Sequence, residues 1–428
     1  MELVLLFGVL FGLMALGAPI FVAMGGAALT VVAVTGIGDA TILPSRIADA
    51  LSSYELLAIP FFILTGQLMN HSGLTERVIR LLMWFLGRIR GGLAYAAVSV
   101  NLFASGVSGS APADASAVSS VMLPTMRREG YRPEHAAAIN AAAAVVGPIM
   151  PPSIPMIFVA LVTNLSVGRL FLGGVGPAIL LSGAMLLIVG MQARRGLFPA
   201  ATSPGGMSES LGRLVLQATP ALIAPVIIVG GIILGFATIT EVAFIAAAYV
   251  LFLGLAVYRT IRLTDVPRIF RDGSVFSSTI MILFGVIGIF TFIVAIQQVG
   301  DRLGDLVATL DLGPTVFLLL SLLFFLLVGM VLDAVPAILI FLPVLLPVAI
   351  ELGVDPIHFG VVVVVNLMIG LLTPPVGALL YVLTKISGVP FGRLSRATFP
   401  FVVALIAVLI VVTLVPAFVT WLPNALFG

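Results

Sequence analysis

The 428-residue sequence contains no cysteine. Disulfides, cysteine-ligated zinc, iron–sulfur clusters and a thiolate nucleophile are therefore excluded. Charge is almost as scarce. Lys, Arg, Asp and Glu make up 9% of the chain, against about 25% in soluble domains, too few to cover a water-exposed globular surface. The net charge of +2 gives no basic footprint for nucleic acid. No basic region precedes the first apolar run, so a cleavable signal peptide is not expected. The Gly-x-x-x-x-Gly-Lys-[Ser/Thr] phosphate loop is missing, so no nucleotide hydrolysis is expected. What remains is apolar: 61% of residues are hydrophobic and the mean hydropathy is +1.27. At ~20 apolar residues per crossing, the chain is a polytopic, all-α membrane protein of about ten transmembrane helices. Its 44 glycines and 27 prolines suit helices interrupted within the bilayer.

The Gly-, Ser- and Pro-rich segment 196–213 divides the chain almost in half. At an offset of 223, Gly106 falls on Gly329, Leu123-Pro124 on Leu346-Pro347, His135 on His358, Gly147 on Gly370, and Pro151-Pro152 on Pro374-Pro375. That register predicts two repeats, 1–213 and 214–428. Two charge-poor stretches, 91–126 and 312–350, carry one charge each, Asp114 and Asp333. A straight 36-residue helix would reach ~54 Å at 1.5 Å per residue, well beyond a ~30 Å core. A re-entrant hairpin of two half-length helices fits each stretch, its polar tip at mid-membrane. Directly after each hairpin, proline clusters predict broken helices over 136–163 and 357–384. Breaks are also expected at Gly17-Ala-Pro19 and Gly235-Phe-Ala, and 75–90 and 259–272 read as interfacial connectors.

The first hairpin is flanked by Arg88, Arg90, Arg127, Arg128 and Arg132. The second is flanked by Asp301, Asp305, Asp311, Glu351 and Asp355, with Arg302 the lone basic residue. The positive-inside bias puts the first mouth in the cytoplasm and the second outside. The repeats are then inverted, with both termini outside, an architecture of secondary transporters with a midplane site. The hairpins and broken helices would form the transport domain and the remaining helices a scaffold.

Unwound carbonyls with Ser and Thr hydroxyls are hard oxygen ligands for a small cation, and half-helix N-termini suit an anion. A carboxylate at the bilayer centre costs ~2.5–3.5 kcal/mol even on mild scales, so Asp114 and Asp333 are the leading ion-site candidates; each could instead be a helix N-cap. The candidate cation set is Ser105, Ser108, Asp114, Gly147, Gly329, Asp333, Gly370 and Thr373, the glycines through neighbouring carbonyls. The candidate solute set is Ser110, Pro112, Met150, Pro152, Ser153 and Pro374. The serines could equally be small packing residues or bonded to their own backbone. Glu241 reads as a helix cap, and His135 and His358 as helix starts. An intramembrane aspartyl protease is disfavoured because each Asp sits in its own hairpin. A channel is disfavoured by the broken helices, and with the protease reading disfavoured no enzymatic activity is expected.

The Ser-Gly-Ser-x-x-Ala-Asp run at 108–114, the Gly-Pro-(x)2-Pro-Pro-Ser segment at 147–153 and the Thr-Pro-Pro turn at 373–375 resemble the large membrane subunit of a tripartite ATP-independent periplasmic (TRAP) transporter. The likeness covers essentially the whole chain. It implies sodium-driven uptake of an organic acid, with at least two Na+ and no nucleotide, by an elevator motion in a bacterial inner membrane. It also implies two partners, a periplasmic solute-binding protein and a small four-helix membrane subunit. The alternative is a binary sodium–dicarboxylate symporter or ion antiporter of the same superfamily, which works without a binding protein. Ser-Gly-Ser and Leu-Asp-Ala at the tips, in place of Ser-Asn-Thr, favour the tripartite branch.

Overall fold

A computed structural model describes residues 2–36, 42–104, 109–199 and 210–428, and every regular element among them is helical. In the first half these are α1 (Glu2–Ala15), α2 (Ile20–Thr35), α3 (Ile42–Leu51), α4 (Ala58–Ser72), α5 (Leu74–Leu86), α6 (Gly92–Ala104), α7 (Ala111–Arg128), α8 (Pro133–Ala144), α9 (Ile154–Thr163) and α10 (Val167–Arg194). The second half holds α11 (Leu211–Ile233), α12 (Ile239–Phe252), α13 (Val266–Ile296), α14 (Val299–Thr309), α15 (Pro314–Val331), α16 (Ala334–Glu351), α17 (Pro356–Gly370), α18 (Ala378–Ser387), α19 (Phe391–Leu414) and α20 (Ala417–Phe427). Among the described residues, eight segments are long and apolar enough to cross a membrane. The number is nine if α3 and α4, bent by 56°, make one span.

The expected breaks have local causes. Pro19, extended at φ −54° and ψ 144°, precedes the first residue of α2. Gly235, at φ +61°, follows the end of α11, in a conformation that costs an L side chain but not glycine. Three residues on, Thr238 caps α12 through a reciprocal pair of bonds with Glu241, so Glu241 is the cap its position suggested.

The same 223-residue shift relates the element bounds. Moved by that amount, α7 lands on 334–351, the bounds of α16, and α8 and α9 land on α17 and α18 to within a few residues. The Pro-Pro peptides at 151–152 and 374–375 are both cis. One pair differs: where the first half bends between α3 and α4, the second runs straight through as the 31-residue α13. The connector expected over 259–272 is therefore short. Only 259–265 is irregular, and Val266 already begins α13, because Pro267 sits in its first turn, where a missing N–H costs nothing.

The arms of the second hairpin are longer than half-length. α15 and α16 have 18 residues each, about 27 Å at 1.5 Å per residue, since no helix-breaking run occurs before Leu332. The first hairpin pairs a 13-residue α6 with an 18-residue α7.

Contacts sort the helices into two groups. α2, α3 and α4 pack on α13, α4 on α12, and α12 on α11. Separately, α6, α7, α8, α10 and α15–α20 pack on one another, with α9 against α16. The centre of this second group is formed by α8 and α17. Ala136–Ala144 and Ile357–Gly370 are buried at every position, as expected of helices apolar all round. Asn366 donates from Nδ2 to the Leu322 carbonyl at 2.7 Å, tying α17 to α15. The amphipathic helices α5 and α14 bridge the groups, α5 touching α6 and α11, and α14 touching α13 and α16.

The arginine-rich ends gather on one side. Arg127, at the end of α7, donates to the Ser387 carbonyl at the end of α18. Arg90 donates to the Phe198 carbonyl at 3.2 Å, and Phe198 stacks on Tyr131.

Candidate functional site

The second arm of each hairpin begins at a polar N-cap. In the first, Ser110 is extended at φ −129° and ψ 112°, Pro112 lies in the first turn of α7, and the Ser110 carbonyl accepts from Asp114 N at 2.9 Å. In the second, Asp333 caps α16 and its Oδ1 accepts from Ala334 N at 2.8 Å. Both caps, with Pro112, line one cavity of about 50 Å3 between the tips. A third helix start closes it: Ile154 and Pro155 of α9 also line it, as do Phe276 and Ile280 of α13. Three N-termini, those of α7, α9 and α16, thus converge on one small space. Each brings the positive end of a helix dipole. Asp333 is exposed, and it lines this cavity.

The first tip lies hard against α9. Gly109 has φ +60°, and a Cβ there would stand 2.7 Å from Ile154 Cγ1 and 3.0 Å from Ile154 N. The second tip is fixed by its own glycine contact: a Cβ on Gly370 would lie 2.7 Å from both Cα and C of Gly329. A residue later, Met330 O accepts from Gly377 N at 3.2 Å, at the start of α18. Gly329 and Gly370 are thus explained by close backbone approach, whatever their carbonyls do.

The structure brings Ser110, Pro112 and Asp333 to one place. Asp114 sits one turn into α7, 5% exposed, and does not line the cavity. Gly147 opens a short 3-10 turn between α8 and α9. Met150, Pro152, Ser153 and Pro374 do not line the cavity either. Ser153 is fully buried and uses its hydroxyl locally, donating to the Pro148 carbonyl and accepting from Met156 N at 3.2 Å as the cap of α9. Thr373 donates to the Ile369 carbonyl at 2.7 Å. Ser105 and Ser108 lie outside the described residues. Among the described residues no three His, Asp or Glu side chains cluster as metal ligands, so a cation here would draw on carbonyls and hydroxyls around single carboxylates. Sequence reasoning gave Ile154 and Pro155, which directly follow the 147–153 segment, no role at the site. It missed Phe276 and Ile280, which are apolar residues in an apolar helix and carry no signal.

Residues 7–418 match the family model described as the DctM component of the tripartite ATP-independent periplasmic transporter. The chain is 35% identical over 418 residues to the sialic acid TRAP transporter large permease protein SiaM of Vibrio cholerae, covering 97% of each. It is 37% identical over 385 residues to the C4-dicarboxylate TRAP transporter large permease protein DctM of Pseudomonas aeruginosa, covering 89% of each. To the 2,3-diketo-L-gulonate TRAP transporter large permease protein YiaN of Escherichia coli it is 32% identical, covering 97% of each. Its fold is similar to that of the Alcanivorax borkumensis YdaH transporter, with a TM-score of 0.64 at 14% identity over 90% of this chain and 89% of that one.

Proposed function

The chain belongs to the DctM family of large permease components of tripartite ATP-independent periplasmic transporters, and from that premise we propose that it imports an organic acid by sodium symport. The solute would be received from a periplasmic binding protein, and the chain would work beside a small membrane subunit in a bacterial inner membrane. The observation that carries this reading is the convergence of the α7, α9 and α16 N-termini with Asp333 on one cavity between the tips. Helix N-termini attract a carboxylate. Asp333 repels it, unless a cation sits between the two. Anion and sodium binding are then coupled by charge, each lowering the cost of the other. The names of three relatives, for sialic acid, C4-dicarboxylate and 2,3-diketo-L-gulonate, are all those of acids.

In this reading the halves are inverted repeats, supported by the coincidence of α6–α10 with α15–α19 at the 223-residue shift. The hairpin-bearing group of helices is the mobile part. α2–α4 with α11–α13 form the scaffold, and α5 and α14 are the arms joining them. Sodium binds near Asp114 and Asp333, and Ser110, Pro112 and the helix starts take the solute. The cavity of about 50 Å3 has room for one or two waters at ~30 Å3 each, so the tips separate to admit a solute.

The test is uptake into proteoliposomes holding the chain with its small subunit, the cognate binding protein and an inward sodium gradient. Uptake needing both sodium and binding protein supports the proposal. Uptake that persists without the binding protein points to a binary symporter, and uptake driven only by a proton gradient overturns the choice of ion.

A further inference from the structure

Two cavities are stacked along α13. Phe276 and Ile280 line the tip cavity, and Phe284, Ile287 and Thr291, on the next turns, line a chamber of about 540 Å3. α9 repeats the order, with Ile154 and Pro155 on the tip cavity and Leu161 and Val162 on the chamber. So does α16, with Val335 on the first and Pro343 on the second. Phe158 and Phe284 meet at the level between, ring centroids 5.6 Å apart. Phe158 is fully buried and lines neither space, while Phe284 is 5% exposed and faces the chamber.

We propose that the chamber is a waiting site for the solute on its way to the tips, and that the Phe158–Phe284 pair is the partition between the two. The chamber falls in the ~300–1,000 Å3 range of small-molecule sites, whereas the tip cavity is too small for an organic acid. Its wall carries Asn164 and Gln298 as donors to a carboxylate, and Asp49 and Asp301 for an accompanying cation. It lies towards the C-terminal ends of α9, α13 and α16, away from the Arg90 and Arg127 ends, the extracytoplasmic side by the charge bias. The partition joins α9 of one helix group to α13 of the other, so a shift between the groups parts the rings. This rests on the transport reading above, but its test does not use uptake, so either can fail alone.

Because the chain has no cysteine, single cysteines report access cleanly. Ala295→Cys, in the chamber, and Val335→Cys, at the tip cavity, would be labelled with a membrane-impermeant maleimide applied from the extracytoplasmic side, in membranes that also hold the small subunit. Ala295→Cys is expected to label quickly in every background. Val335→Cys is expected to label slowly with both rings intact and at least tenfold faster with Phe284→Ala or Phe158→Ala. Phe284→Leu, a milder change should the alanine variants fail to fold, is expected to fall between. Equal Val335→Cys rates with and without the rings would overturn the partition. An Ala295→Cys that resists labelling would overturn the chamber as an approach from that side.

Discussion

Ser110 and Asp333 stand 223 positions apart in the sequence and at the same place in the two hairpins, each the N-cap of the second arm, and both line one cavity. The pair is unequal in charge. One tip offers a hydroxyl and the other a carboxylate, while the remaining hairpin acid, Asp114, lies a turn deeper and falls opposite Ala337 in the shifted register. The two acids are therefore not repeats of one another and should fail differently.

Asp333→Asn separates the charge of that residue from its cap. Asn caps a helix about as well as Asp, so α16 should keep its start while the cavity loses its negative charge. Sodium-driven uptake should fall at least tenfold with melting temperature nearly unchanged. Asp333→Ala should lose about 1 kcal/mol of stability as well. Ser110→Asp would set a second carboxylate on the cavity and should also abolish uptake, whereas Ser110→Asn should retain most of it. Unchanged uptake in Asp333→Asn would remove that residue from the coupling. Asp114→Asn, away from the solute, should instead raise the sodium concentration needed for half-maximal uptake.

Gly370 tolerates no side chain. Its Cβ would meet Gly329 backbone at 2.7 Å, and neither backbone can swing aside as a flexible side chain would. Gly370→Ala should destabilise by at least the ~1–3 kcal/mol typical of overpacking, seen as lost folded protein in size-exclusion chromatography. Gly183, mid-helix in α10 with nothing within 4 Å of an added Cβ, is the control. Gly183→Ala should be neutral or stabilise by ~0.5–1 kcal/mol.

Ser153→Ala distinguishes a cap from a solute ligand. In the structure the hydroxyl serves Pro148 O and Met156 N, both within the polypeptide at the start of α9. Its removal should cost about 1–2 kcal/mol of stability, typical of a lost cap, and leave the KM of the folded fraction within twofold. A large rise in KM with an unchanged melting curve would show a direct solute contact instead.

Much of the fold was legible because membrane segments advertise themselves by what they omit. Gly and Pro at a fixed offset of 223 marked the repeat that the bounds of α7–α9 and α16–α18 follow, and single acids in long apolar runs drew attention to Asp114 and Asp333. The rest was hidden for the same reason. Within uniformly apolar sequence, no signal separates Ile280, which lines the tip cavity, from its neighbours, or Phe158, which packs on Phe284, from any core phenylalanine. Hydroxyls are ambiguous in such a sequence. Ser153 and Thr373 look like ligands in a sequence of so few polar groups, yet both bond carbonyls within five residues of themselves, the local alternative open to any Ser or Thr.

Glu241 gives the sharpest contrast with the tip acids. It lies in an apolar span, but its Oε2 accepts from Thr238 N at 2.8 Å and from Thr238 Oγ1 at 2.9 Å, while Thr238 Oγ1 accepts from Glu241 N at 3.3 Å. Both side chains serve the first turn of α12 and neither lines the tip cavity. Glu241→Ala and Thr238→Ala should each lower the melting temperature slightly and leave the sodium dependence of uptake unchanged. The double variant should lose less than the sum, because either single change already breaks the reciprocal pair. A shift in sodium dependence with Glu241→Ala would make Glu241 a third coupling acid rather than a cap.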